Sequence, residues 1–120
     1  MVLVDTSVWV NHLRKGDIQL EELLLGGEVV CHPFVIGELA CGNLRKRDDV
    51  LRLLNDLPRA PVASQVEVLH FIECNKLMGQ GIGFIDAHLL ASTALADAAF
   101  IWTRDKQLQK AARKLKLAID

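Results

Sequence analysis

Val2-Leu3-Val4-Asp5-Thr6-Ser7-Val8-Trp9 opens the chain with three apolar residues, then an acid and two hydroxyls, then apolar residues again. A short apolar run cut off by a polar turn predicts a buried strand. Thr6 or Ser7 then serves as the cap of a helix over residues 8–14. The same alternation recurs along the chain. Asp17 is a second capping residue, followed by Ile18, Leu20, Leu23, Leu24 and Leu25 at helical spacing, and Gly26-Gly27 stops that helix. Residues 28–32 read as a second strand. Pro33 suits the first turn of the next helix, where a missing N–H costs nothing.

Further along, residues 47–57 form an amphipathic helix, and Pro58 and Pro61 bracket a short extended piece that reaches Val62-Ala63. Ser64 caps a helix over residues 65–78, Gly79, Gly81 and Gly83 make a loop, and residues 84–96 form a helix apolar on most of its circumference. Residues 98–103 are the clearest strand after the first. Residues 106–115 form a last helix, and residues 117–119 an edge strand. Short buried strands alternating with helices predict an α/β fold, a parallel sheet with helices on both faces.

The 120 residues form one domain, 1–120, with a single core. With 51% hydrophobic residues the chain is not disordered. The longest stretch free of Asp, Glu, Lys and Arg is residues 87–96, half of what a spanning helix needs, so no membrane is expected. Asp5 interrupts the first apolar run, which argues against a secretory signal. Three cysteines, Cys31, Cys41 and Cys74, lack paired spacing, so a reduced, cytoplasmic setting is expected. The net charge is -1, but residues 101–120 carry six basic groups against two acids.

In open parallel sheets, sites form at the carboxyl ends of the strands. Asp5 closes the first strand and Asp105 follows the strand that ends at Trp102-Thr103. Asp86 lies in the first turn of the apolar helix after Gly83. Glu38 sits one turn into an otherwise apolar helix that starts at the same edge. Two like charges about 4 Å apart cost roughly 4 kcal/mol at an effective dielectric near 20. A convergent set therefore needs protonation or a cation. Hard divalent ions take oxygen ligands, and such a site activates water and offsets phosphodiester charge. Capping of their own helices by Asp86 and Asp105, with Glu38 at the surface, is the simpler alternative.

Four motifs now stand in order: residues 2–9, Pro33-Phe34-Val35-Ile36-Gly37-Glu38-Leu39, residues 83–91, and Ile101-Trp102-Thr103-Arg104-Asp105. Together they resemble the PIN-domain ribonucleases of the VapC toxin type, over essentially the whole chain. The resemblance implies a three-layer α/β/α fold whose central, mostly parallel sheet has four to five short strands. It implies an endoribonuclease dependent on Mg²⁺ or Mn²⁺ that cleaves single-stranded or loop RNA. It also implies the toxin half of a toxin–antitoxin pair, partnered by a VapB-type antitoxin and usually homodimeric. The family's acids fall on Asp5, Glu38, Asp86 and Asp105, as metal ligands and catalytic residues, with Thr6, Ser7 and Thr103 where the family orients acids or waters.

Other constellations are weaker. A receiver domain needs adjacent acids after the first strand, where Thr6-Ser7 stand. A haloacid-type phosphatase needs an acid at Ser7. The three glycines follow no strand, so they do not form a dinucleotide loop. His70 and Cys74 have zinc-compatible spacing but no second pair, and read as packing. His88 reads as a buried or groove-lining residue. With no Tyr and 5% aromatics, the chain lacks a stacking platform, so RNA would be gripped through its backbone by Arg104, Lys106, Lys110, Arg113 and Lys114. Apolar residues of the early helices, Trp9, Leu13, Leu23 and Leu24, are candidates for a dimer contact. The alternative function is a non-catalytic PIN-like protein whose acidic edge holds a basic peptide.

Overall fold

A computed structural model describes residues 1–119. In chain order the elements are β1 (Val2–Val4), α1 (Thr6–Lys15), α2 (Ile18–Leu25), β2 (Val29–Val30), α3 (Pro33–Ala40), α4 (Arg47–Asp56), α5 (Gln65–Cys74), α6 (Phe84–Leu95), β3 (Phe100–Trp102) and α7 (Lys106–Lys114). The strands form a parallel sheet in the order β2-β1-β3. Val2, Leu3 and Val4 of the central strand are all buried. Successive strand residues point to opposite faces, so the sheet is covered on both. Among the helices, α1 packs with α3 and α3 with α4, while α6 packs on β3 and on α5. This is the α/β/α arrangement expected.

The strand count is lower than expected: three among the described residues, not four to five. Both missing edge strands shrink to single bridges, Cys31 with Arg59 and Ile101 with Ala118. At the first edge Cys31 exchanges bonds only with Pro58 and Ala60. Pro58 and Pro61 have no N–H with which to extend the ladder. At the other edge, Ile101 bonds Leu117 and Ile119.

Helix ends explain two further differences. α5 stops at Cys74, short of residue 78, because Lys76 turns into the left-handed region, with φ 52°. The Lys76 N–H bonds the Glu73 carbonyl and the Leu77 N–H bonds that of Ile72. These are the paired bonds of a Schellman C-cap. α7 ends the same way, with Lys116 at φ 60°, and that turn delivers Leu117 to Ile101. At the start of α1 the N-cap is Asp5, and neither Thr6 nor Ser7 caps the helix. Their hydroxyls are used elsewhere, as shown below.

Seven consecutive residues of α6, Ala87 to Thr93, are buried, so this helix forms the centre of its layer. Trp9 is 1% exposed and belongs to the core, not to a surface contact, and Leu23 and Leu24 pack against the same core. Of the four early apolar candidates only Leu13 is exposed.

His32 is fully buried and is the N-cap of α3, the helix that carries Glu38. Its Nδ1 accepts the Phe34 N–H at 3.0 Å, which leaves the ring proton on Nε2. Burial, then the nearby His88 and Arg59, push its pKa down to about 4. A base held neutral in the fold but free to protonate when unfolded costs stability as pH falls. Stability is therefore expected to decline between about pH 6.5 and pH 4. Chemical denaturation across that range should give a flatter profile for His32→Asn, which retains a capping acceptor, even if that variant is less stable at neutral pH.

Candidate active site

Because β1 and β3 are parallel neighbours, the residues that follow them emerge at one edge of the sheet. Asp5 follows β1 directly and its N–H bonds the Trp102 carbonyl at 2.9 Å. Its carboxylate is buried, with one oxygen, Oδ2, accepting from Thr103 Oγ1 at 2.7 Å and from Ser7 Oγ at 2.9 Å. Each hydroxyl also accepts a peptide N–H of the β3–α7 turn: Thr103 that of Asp105 at 3.0 Å, Ser7 that of Arg104 at 2.9 Å. One carboxylate oxygen thus ties the ends of both strands together and positions Asp105.

The other acids come from three helices. Glu38 on α3 accepts from Thr6 Oγ1 at 2.7 Å, a bond between α1 and α3. Asp86, in the first turn of α6, reaches back to the Gly83 N–H at 3.2 Å. Asp105 is the N-cap of α7 and accepts the Leu108 N–H at 2.9 Å. Asp86 and Asp105 thus each bond an N–H at the start of their own helix, as the capping alternative has it.

The Asp86 carboxyl is held above the usual carboxylate range. Burial is the main cause, opposed by the Gly83 N–H and reinforced by the charges of Asp5, Asp105 and Glu38. All three of the other acids therefore act on Asp86. Among the described residues no three His, Cys, Asp or Glu side chains close into a ready-made ligand group. The donors are nonetheless carboxylate oxygens throughout, which suits a hard divalent ion. Mg²⁺ typically needs only one or two carboxylates, with waters and substrate phosphates completing its shell.

Thr6 donates to Glu38, and Ser7 and Thr103 donate to Asp5. Arg104, Lys106, Lys110 and Arg113 are exposed on or just before α7. His70 and Cys74 do meet, Nε2 to Sγ 3.2 Å, on the exposed side of α5. What sequence reasoning missed is an aromatic ladder at the same edge. His32, Phe34, His88 and Phe84 stack edge to face, with centroids 4.7 to 5.0 Å apart. Phe34 and Phe84 lie at the starts of the helices that carry Glu38 and Asp86, and both are exposed. Fifty residues separate them in sequence, so no local pattern announces the pairing.

A parallel sheet with Asp5 after β1 and Asp105 after β3, flanked by Glu38 in the second turn of α3 and Asp86 in the first turn of α6, has the arrangement of a PIN domain. The chain matches that family over residues 2–114 and belongs to it. It is 49% identical over 119 residues to Ribonuclease VapC32 of Mycobacterium tuberculosis, in strains CDC 1551 / Oshkosh and ATCC 25618 / H37Rv alike. The alignment covers 99% of this chain and 96% of the relative, which places the chain among the VapC-type members.

The raised Asp86 carboxyl has a sign. Its ionised form is disfavoured in the fold, so it costs stability at neutral pH, and protonation at low pH removes that cost. Asp86→Asn keeps an acceptor for Gly83 and removes the charge. In EDTA at pH 7 it should melt above the parent protein, and the difference should close as pH falls through the acid range, as read by scanning calorimetry.

Proposed function

We propose that this protein is a metal-dependent endoribonuclease that cleaves single-stranded or loop RNA, the toxin of a toxin–antitoxin pair. The observation that carries the reading is the convergence of Asp5, Glu38, Asp86 and Asp105 on one field, in a chain 49% identical to a ribonuclease. Asp5, Asp86, Glu38 and Asp105 would hold Mg²⁺ or Mn²⁺. Such an ion supplies neutralisation of phosphate charge and lowers the pKa of an attacking water.

The chain's own residues do the rest. Thr103 and Ser7 both bond Oδ2 of Asp5, so that carboxylate is oriented before substrate arrives. Preorganisation of this kind removes reorganisation cost from the chemical step. Thr6 does the same for Glu38. The basic side chains around α7, Arg104, Lys106, Lys110 and Arg113, contribute sequence-independent attraction for the phosphate backbone.

Asp5→Asn preserves the acceptor for both hydroxyls and removes the charge. Its activity on structured RNAs should fall by at least ~10²-fold, the loss of roughly 3 kcal/mol of transition-state stabilisation. The parent enzyme should cleave with Mg²⁺ or Mn²⁺ and not in EDTA. Full cleavage by a folded Asp5→Asn removes that residue from the mechanism.

The VapB-type antitoxin is proposed to lie across the same edge. A groove of about 310 Å³ between α1 and α3 is lined by Val10, Leu13, Leu39 and Leu44 and opens on Glu38. An apolar segment there would let an Arg reach the carboxylates, for which its planar fork is matched. Replacing that Arg by Ala should weaken inhibition while binding persists, and inhibition should compete with Mg²⁺, both read by RNA cleavage in mixtures of the two proteins. A symmetric homodimer in the cytoplasm completes the proposal. The exposed Ile18, Leu25, Val66, Leu69 and Leu95 offer apolar surface for it.

A further inference from the structure

A cavity larger than the α1–α3 groove lies outside the carboxylate cluster. It measures about 440 Å³ and is open to solvent, between the loop Gly79-Gln80-Gly81 and α7. Its walls are that loop, Gln107, Lys110 and Lys114, with no acid among them. Lys110 and Lys114 are four residues apart, so they project from one face of α7. Among the described residues neither ammonium has a partner. The peptide N–H groups of residues 79, 80 and 81 likewise have no acceptor among the described residues.

Gly79 and Gly81 have φ of 71° and 77°, a region that costs any other L-residue about 1–2 kcal/mol. The Gln107 side chain lies against Gly81, 3.4 Å from where a Cβ would be, which holds the loop to the helix. Gln80 bonds back to the Lys76 carbonyl and braces the turn from its other side. Two unpaired cations and no acid around one cavity are the complement of an anion.

The cavity is bordered by the two segments that lead to the site. Two residues beyond Gly81 is Gly83, whose N–H holds Asp86, and two residues before Gln107 is Asp105. At 1.5 Å per residue, Lys110 and Lys114 lie about 8 and 14 Å along α7 from Asp105. That is of the order of one to two nucleotide repeats of an extended strand.

We infer that this cavity is a subsite for an RNA backbone phosphate one or two nucleotides from the cleaved bond. Its placement rests on the ribonuclease reading; its affinity for a phosphate strand does not. The subsite sets the register of the strand across the carboxylates and contributes binding without chemistry. Its loss should therefore appear in KM and not in kcat.

Two measurements separate the subsite from the catalytic reading. The first is binding of a short fluorescent single-stranded RNA to Asp5→Asn protein, with and without Lys110→Ala and Lys114→Ala. Affinity should fall by about ten-fold, and the slope of log K against log salt should flatten by about 0.7 for each phosphate that the lysines no longer neutralise. Lys110→Arg with Lys114→Arg should restore binding, and Lys15→Ala with Arg52→Ala, on α1 and α4, should not reproduce the loss. The second is cleavage by protein with Asp5 intact. The double alanine variant should raise KM with kcat nearly unchanged. One uncharged methylphosphonate linkage, placed one or two nucleotides from the cleaved bond, should raise KM in the parent and not in the variant. Unchanged affinity and salt slope overturn the subsite, as does loss of antitoxin binding alone. If the parent cleaves no RNA while lysine-dependent binding remains, the ribonuclease reading fails and the anion subsite stands.

Discussion

One oxygen of Asp5 holds this molecule's working edge together. It receives hydroxyls from Ser7 on α1 and from Thr103 after β3, and both hydroxyls accept N–H groups of the following turn. A buried carboxylate is costly unless its oxygens are bonded. Here that requirement is met for one oxygen, Oδ2, by the residues that join the two parallel strands. Stabilising the charge and aligning the strand ends are thus one set of bonds. The second oxygen of Asp5 is left without a protein donor among the described residues.

The remaining acids are each tethered differently. Asp86 and Asp105 bond N–H groups at the starts of α6 and α7, and helix starts favour negative charge. Glu38 has instead a hydroxyl from a neighbouring helix. These tethers let like charges approach without one dominant counter-charge, at the cost visible in the raised Asp86 carboxyl. The acids and the basic cavity beside α7 are close along the chain, Gly81 to Asp86 on one side and Asp105 to Gln107 on the other. The former suit a cation and the latter a phosphate strand.

His32 has an analogous role on the other side. It caps α3 from a fully buried position and so fixes the start of the helix that presents Glu38. Its neutrality is a condition of that arrangement, because a charged ring would have no water around it. The aromatic ladder from His32 through Phe34 and His88 to Phe84 then links the starts of α3 and α6. Shape complementarity between the helices bearing two of the acids is therefore supplied by rings, at the edge where the chain exposes Phe34 and Phe84.

How much of this the chain discloses by itself depends on how local each cause is. Val2-Leu3-Val4 before Asp5, and Phe100-Ile101-Trp102 before Thr103, announce strands through hydrophobicity alone; Asp5 and Asp105 are legible from their places after such runs, and Glu38 and Asp86 from their places in otherwise apolar helices. The helices too are legible, because apolar spacing and caps such as Ser64 act within a few residues. Their ends are less so: Lys76 and Lys116 adopt positive φ where no glycine signals it. The extended piece at residues 58–63 and the edge strand at 117–119 reduce to one bridge each, because pairing depends on the partner edge and, at the first, on prolines interrupting it. The core burial of Trp9, the Phe34–His88–Phe84 contacts and the cavity between residues 79–81 and α7 are decided only in three dimensions. Each joins segments distant in sequence, and packing of that kind is set by the whole core, not by any stretch of the chain.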